Sequence, residues 1–215
     1  MFQMTKRINT GWVQHVGTTG VTCYTCHRGN PVPQYIWFNQ SGETRTEGLL
    51  GYRNGQNAPA SSVAMSSLPN DPFSSLLDQA QPIRVVATKA LESSSIDASV
   101  REPGVQSAEK TYGLMIHMST ALGVNCTYCH NSRAFSDWSQ STPQRVTAWH
   151  GIRMVRDLNL SYLDPLKATW PANRLGAQGD GPKAYCTTCH QGLAKPLNGA
   201  QMHKDNLELD AATLN

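Results

Sequence analysis

Six cysteines occur in the chain, and they fall into three Cys-x-x-Cys pairs with none left over. A histidine follows each pair at once: Cys23-Tyr24-Thr25-Cys26-His27, Cys126-Thr127-Tyr128-Cys129-His130 and Cys186-Thr187-Thr188-Cys189-His190. This pentapeptide is the attachment signature of a c-type haem. The spacing has a chemical reason. Two thiols three residues apart add to the two vinyl groups on one edge of a porphyrin, and the next imidazole folds under the ring to ligate the iron. Rival chemistries fit less well. Structural zinc draws four ligands from two half-sites, and three identical half-sites do not divide that way. A thioredoxin-like pair is one motif in a βαβ setting. Structural disulfides need no histidine after each pair. Three covalently bound haems c are expected, one at each motif.

Composition agrees with large prosthetic groups. Of 215 residues, 39% are hydrophobic and 15% charged, against globular averages of about 45–50% and 25%. The balance is small and polar, so much of the chain reads as loop. Porphyrins would supply the apolar bodies that side chains lack, and the haem-free chain should fold poorly. Lys plus Arg is 18 and Asp plus Glu is 15, a net charge of +3. That balance gives no argument for nucleic acid or an anionic membrane. No apolar run approaches the ~18 residues of a membrane-spanning helix. Haem attachment of this kind takes place outside the bacterial cytoplasm, yet Met1-Phe2-Gln3-Met4-Thr5-Lys6-Arg7 shows no basic-then-apolar signal. Met1 is therefore expected to lie inside a longer precursor.

The elements that carry the motifs follow from periodicity. Residues 2–16 read as a helix closed by Gly17 and Gly20, just ahead of the first motif. A stretch over 34–106, rich in Gly, Ser, Asn and Pro, reads as a connecting layer with strand-like runs at 35–38 and 84–88. A second helix over 108–122 aligns Tyr112, Met115, Ser119 and Leu122 on one face. Gly123-Val124-Asn125 leads into the second motif as Gly20-Val21-Thr22 leads into the first, a weak repeat. A third helix starts at Ser141-Thr142-Pro143 and runs to about residue 162, with an apolar stripe of Trp149, Ile152, Val155, Leu158 and Tyr162. A short helix at 164–170 and a loop with Gly176, Gly179 and Gly181 lead to the third motif. The expected fold is mainly α with extensive irregular loops, a multihaem cytochrome c of helix–turn–haem-motif units. It forms one domain over 1–215: first haem segment 1–33, connecting layer 34–106, second and third haem segments 107–200, tail 201–215.

His27, His130 and His190 supply the fifth ligands. A haem with an open sixth position does chemistry on small molecules, and one with two protein ligands mainly transfers electrons. The sixth ligands come from His15, His117, His150, His203, Met1, Met4, Met65, Met115, Met118, Met154 and Met202. Met115 and His117 lie about 200° apart on their helix, so they cannot share one haem. Met118 is only about 60° from Met115 and stays open by geometry. Met1 and His15 lie about 21 Å apart along a continuous helix and within about 40° of one face. One helix could then serve two haems, with Met4 competing with Met1.

Several runs closely resemble the cytochrome subunit of purple-bacterial photosynthetic reaction centres. They are Lys6-Arg7-Ile8-Asn9-Thr10, Trp12, His15-Val16, the run from Gly20 to Gly29, Cys129-His130-Asn131, Ser141-Thr142-Pro143-Gln144-Arg145, the run from Gly151 to Asn159, and Cys189-His190-Gln191-Gly192. The likeness covers residues 1 to about 200 and loosens over 39–107. Members of the family usually carry four haems, and these motifs look like the last three. A chain lacking the first haem segment fits that pattern, and a natural three-haem variant is the alternative. The resemblance implies Met1 opposite His27, Met115 opposite His130, and His15 opposite His190. It also implies a spatial order of first, third and second motif, with alternating high, low and high potentials. The second motif would sit nearest the bacteriochlorophyll special pair, and Arg145 matches an arginine at that electron-transfer interface. The implied function is electron transfer, not enzymatic catalysis, at the periplasmic face of the photosynthetic inner membrane. Electrons would pass from a soluble donor, a small cytochrome c or high-potential iron–sulfur protein, to a special pair held by the L and M membrane subunits. A multihaem reductase would differ in having a five-coordinate haem, and a free periplasmic shuttle in having no stable membrane partner.

Overall fold

The computed structural model describes residues 1–39, 60–83 and 104–209. The chain divides into two compact units. Met1–Phe38 and Ser119–Asn215 form one, and Asn39–Met118 forms the other. The expectation from sequence is one domain over 1–215, with a connecting layer over 34–106. Described structure is helical: α1 Phe2–Gly11, α2 Val13–Val16, α3 Cys23–His27, α4 Val105–Leu122, α5 Pro143–Leu158 and α6 Cys186–His190, with short 3-10 and π turns between them. An isolated antiparallel bridge joins Trp37 and Lys183. The strand expected at 35–38 reduces to that bridge, and the run at 84–88 lies outside the described residues. No described helix is long and apolar enough to cross a membrane.

The expected first helix is broken. Trp12 leaves helical geometry at φ −124°, ψ 32°, separating α1 from α2. Asp157 of α5 fixes the break. Its carboxylate accepts from the Trp12 indole N–H at 2.9 Å and from Arg7 Nε at 3.1 Å. The continuous-helix arithmetic that placed Met1 and His15 on one face therefore fails, because the chain turns between them.

The larger unit centres on Ile8, Met154 and Leu158, with Met4, Trp12, Val16, Val21 and Tyr162 packed against them. Here α5 begins as expected, with Thr142 at the N-cap and Pro143 in the first turn. The buried face of α5 includes Gly151, Ile152, Met154, Val155 and Leu158, whereas Trp149 is exposed.

In the smaller unit, α4 begins three residues before the expected start. Its buried side is Thr111, Leu114, His117 and Met118, not the face of Tyr112 and Met115. Gly113 lets the helix approach closely: a Cβ there would lie 3.0 Å from Pro72 and 3.1 Å from Val63. Of the stripe expected on this helix, Tyr112 is 57% exposed and Met115 is partly exposed.

Candidate functional site

The first and third motifs fold alike, and their sequences say why. Each has threonine in the second variable position, Thr25 and Thr188. Each hydroxyl accepts a hydrogen bond from the backbone N–H of the residue before the first cysteine, at 2.9 Å from Thr22 and 3.0 Å from Tyr185. This is half of a capping box, and it satisfies a donor that the helix start would leave orphaned. Each motif helix then ends in two successive left-handed residues, Arg28-Gly29 and Gln191-Gly192.

An asparagine grips the chain two residues ahead of each of these motifs. Asn9 of α1 donates to Val21 O at 3.0 Å and accepts from Val21 N–H at 2.8 Å. Asn159, just past α5, does the same to Ala184 at 3.0 and 2.8 Å. Lys183 beside it is buried and paired with Asp180 at 2.6 Å. Sequence reasoning missed both asparagines. Their partners are backbone atoms, which no side-chain pattern reveals.

The second motif differs. Tyr128 stands where the others have threonine, and Cys126–Tyr128 is a single 3-10 turn. Its lead-in is fixed by the end of α4 instead. Val124 N–H donates to Ser119 O at 3.0 Å and Gly123 N–H to Thr120 O at 3.3 Å, closing a Schellman turn. Gly123 has φ +66° and would place a Cβ 2.3 Å from Gly192 O, so only glycine fits.

Four histidines share one arrangement. Nδ1 lies 3.0 Å from Asn30 O in His27, 2.9 Å from Phe135 O in His130, 2.9 Å from Leu193 O in His190, and 2.9 Å from Thr147 O in His15. A carbonyl only accepts, so each Nδ1 carries the proton. In a neutral ring this leaves Nε2 as the bare lone pair, the state a metal ligand requires. The His15 and His190 rings stand 6.0 Å apart between centroids. One metal ion between two imidazole nitrogens, with bonds of about 2 Å, needs a separation of that order. Burial pushes His190 down to about 4 and also lowers His15, which keeps both rings neutral at pH 7.

The His15 ring rests on the bare backbone of α5. A Cβ at Gly151 would lie 2.5 Å from His15 Cε1 and 2.8 Å from Nδ1. A glycine inside a helix costs about 1 kcal/mol relative to alanine, and that cost was the sequence signal for this contact.

Helices α3 and α6 pack against each other. Arg28 ties them, donating to Thr25 O at 3.0 Å and to Cys189 O at 3.1 Å. Cys26 and Cys189 are joined as a disulfide, with Cα atoms 4.2 Å apart. A disulfide sulfur has no thiol to add to a vinyl group. Attachment at Cys26 and Cys189 requires that bond to be reduced. Cys23, Cys126, Cys129 and Cys186 are free thiols. Burial pushes Cys186 up to about 12 and raises Cys129.

The remaining candidates separate by burial. Met4 packs into the core and Met154 belongs to it, whereas Met1 is 50% exposed. On α4, His117 and Met118 are buried, His117 with its ring 4.7 Å from Phe73, and Met115 is partly exposed. Met65 is 64% exposed. His150 stacks edge-on with Trp149, and His203 lies against Gly20. Arg145 is buried. Its guanidinium donates to Asp137 O at 2.9 Å and Ser141 Oγ at 2.6 Å and sits 4.1 Å over the Trp138 ring. It orders the loop beyond the second motif.

The residue types and their spacing therefore suit haem c: paired cysteines three residues apart, an adjacent tautomer-fixed imidazole, and a second such imidazole opposite one of them. Comparison with known proteins agrees. The family model for the photosynthetic reaction centre cytochrome c subunit matches residues 1–210. The photosynthetic reaction center cytochrome c subunit of Rubrivivax gelatinosus is 53% identical over 205 residues, covering 95% of this chain and 55% of that protein. The Thermochromatium tepidum protein of the same name is 51% identical over 205 residues, 95% of this chain and 49% of its own length. The one from Roseobacter denitrificans is 42% identical over 215 residues, 97% of this chain and 57% of its own length. The chain thus spans about half the length of the curated relatives it matches. On its motifs, its locked histidines and this likeness along nearly its whole length, the chain belongs to the photosynthetic reaction centre cytochrome c subunit family.

Proposed function

We propose that the chain is part of an electron-transfer subunit, not an enzyme. It carries electrons from a soluble donor, a small cytochrome c or high-potential iron–sulfur protein, towards the special pair held by the L and M subunits. Its place is the periplasmic face of the photosynthetic membrane. The observation that carries this reading is the set of four histidines whose Nδ1 protons are committed to backbone carbonyls. Three of these follow Cys-x-x-Cys pairs, and the fourth stands opposite the third motif.

Haem c, when bound, supplies a one-electron iron centre whose potential follows its axial ligands. Cys23 and Cys26, Cys126 and Cys129, and Cys186 and Cys189 would each hold one such group, three in this chain. His27, His130 and His190 would ligate from the motif side. Met1 serves opposite His27, because Met4 is committed to the core. Met115 would serve opposite His130, being partly exposed where Met118 and His117 on the same helix are buried. His15 serves opposite His190. Two methionines and one histidine give a high, low, high pattern in the order first, third, second motif. Arg145 keeps a fixed positive charge beside the second motif, at the special-pair end.

The test is Met115→Leu in the intact complex, followed by redox titration and flash-induced re-reduction of the special pair. One high-potential couple should fall and re-reduction should slow. Unchanged potentials and kinetics would show Met115 to be wrongly assigned. Failure of the chain to copurify with reaction-centre membrane subunits would overturn the wider reading.

A further inference from the structure

Helix α5 touches two parts of the proposed wire. At its start, Thr142 Oγ1 donates to Tyr128 O at 2.7 Å and Thr142 N–H donates to Cys129 O at 3.3 Å, seating the helix on the second motif. Two turns on, its backbone meets His15. There Thr147 O takes the Nδ1 proton at 2.9 Å, and the bare Cα of Gly151 leaves the space the ring fills. Thr147 and Gly151 are four apart, so they lie on one helix face.

We infer that Gly151 is a positioning residue: with the Thr147 carbonyl it forms a notch on α5 that fixes the tautomer and position of His15 opposite His190. This rests on the reading of His15 as a ligand. The notch does two jobs. It decides which ring nitrogen is left bare, and it ties the ligand of the third motif to the same rigid helix that seats the second. About 9 Å of helix separates Arg145 from Gly151 at 1.5 Å per residue, so the spacing between these two parts of the site is built into α5. An added methyl cannot be absorbed by a flexible side-chain end. The nearest atoms belong to a planar ring already tethered at Nδ1.

The decisive experiment is a double-mutant cycle on the intact holoprotein, read by thermal melting and by the low-spin ferric EPR signal. Gly151→Ala alone should lower the melting temperature and shift or split the bis-histidine signal. In a His15→Ala background the clash is gone, so the same substitution should raise the melting temperature through helix propensity. An equal rise in both backgrounds, with an unchanged EPR signal, would overturn the notch. His15→Met separates the two ideas. If it moves no haem signal, the ligand assignment fails, and the sign reversal of the cycle still decides the notch.

Discussion

Replacing Asn159 with alanine tests how the third motif is held. Asn159 is fully buried and makes two bonds to Ala184, one to the carbonyl at 3.0 Å and one from the N–H at 2.8 Å. The losses are unequal. Ala184 O also accepts from the Trp37 indole at 2.9 Å, so it keeps a partner. Ala184 N–H keeps none in these bonds and is left orphaned beside the first cysteine of the motif. An orphaned buried group costs about 1–3 kcal/mol, and an ordinary hydrogen bond about 0.5–1.5 kcal/mol. With a small cavity added, Asn159→Ala should destabilise the protein by about 2–4 kcal/mol. At about 2–4 °C per kcal/mol for a chain of this size, melting should fall by roughly 5–15 °C. Chemical denaturation of the holoprotein measures the free energy, and haem staining reports attachment at the third motif. The equivalent change at Asn9 should act on the first motif. A cost below about 1 kcal/mol, with full attachment, would show that the grip on Ala184 is incidental and that the parallel with Asn9 carries no structural weight.

Two further perturbations probe the same framework. Lys183→Met removes the ion-pair partner of the Asp180 carboxylate in a site where the two side chains are 2% and 8% exposed. Breaking a buried pair of this kind costs about 3–5 kcal/mol, and a Lys183→Met, Asp180→Leu double variant should recover most of it in the same denaturation assay. Asp157 gives a pH test. Burial works against its charge, but bonds from Trp12, Arg7 and Ser161 outweigh that and hold its carboxyl below the usual 3.8. A depressed carboxylate contributes stability above its unfolded value and loses it as pH falls through the folded one. Melting temperature should therefore drop as the solution is taken below about pH 4, and Asp157→Asn should lower the neutral-pH value while flattening that drop.

The chemistry of the site was legible in the sequence because Cys-x-x-Cys-His repeats are covalent requirements. The start of α5 was also legible, since Thr142 and Pro143 act locally. What escaped were features made between a side chain and distant backbone. Periodicity ran on through Trp12, but the bend there comes from Asp157, 145 residues away. The face of α4 that carries Tyr112 and Met115 is its less buried side, and apolar periodicity does not say whether a side chain or a prosthetic group covers it. The carbonyls that lock four histidines belong to Asn30, Phe135, Leu193 and Thr147, and nothing about those residue types marks them. Gly151 left a trace, as Gly113 did on α4, in being a glycine in a helix interior.

The contacts between the first and third motifs also govern the order in which the chain can fold. Arg28 reaches Cys189 across 161 residues, and Asn9 reaches Leu209 across 200. A polypeptide delivered N-terminus first presents α1 and the first motif long before their partners exist. Loop closure over such separations is entropically costly and slow. The N-terminal segment must therefore wait, open, until the last segment arrives. The bonds from Arg28 to Cys189 and from Asn9 to Leu209 are therefore late ones, made only once both ends of the unit are present.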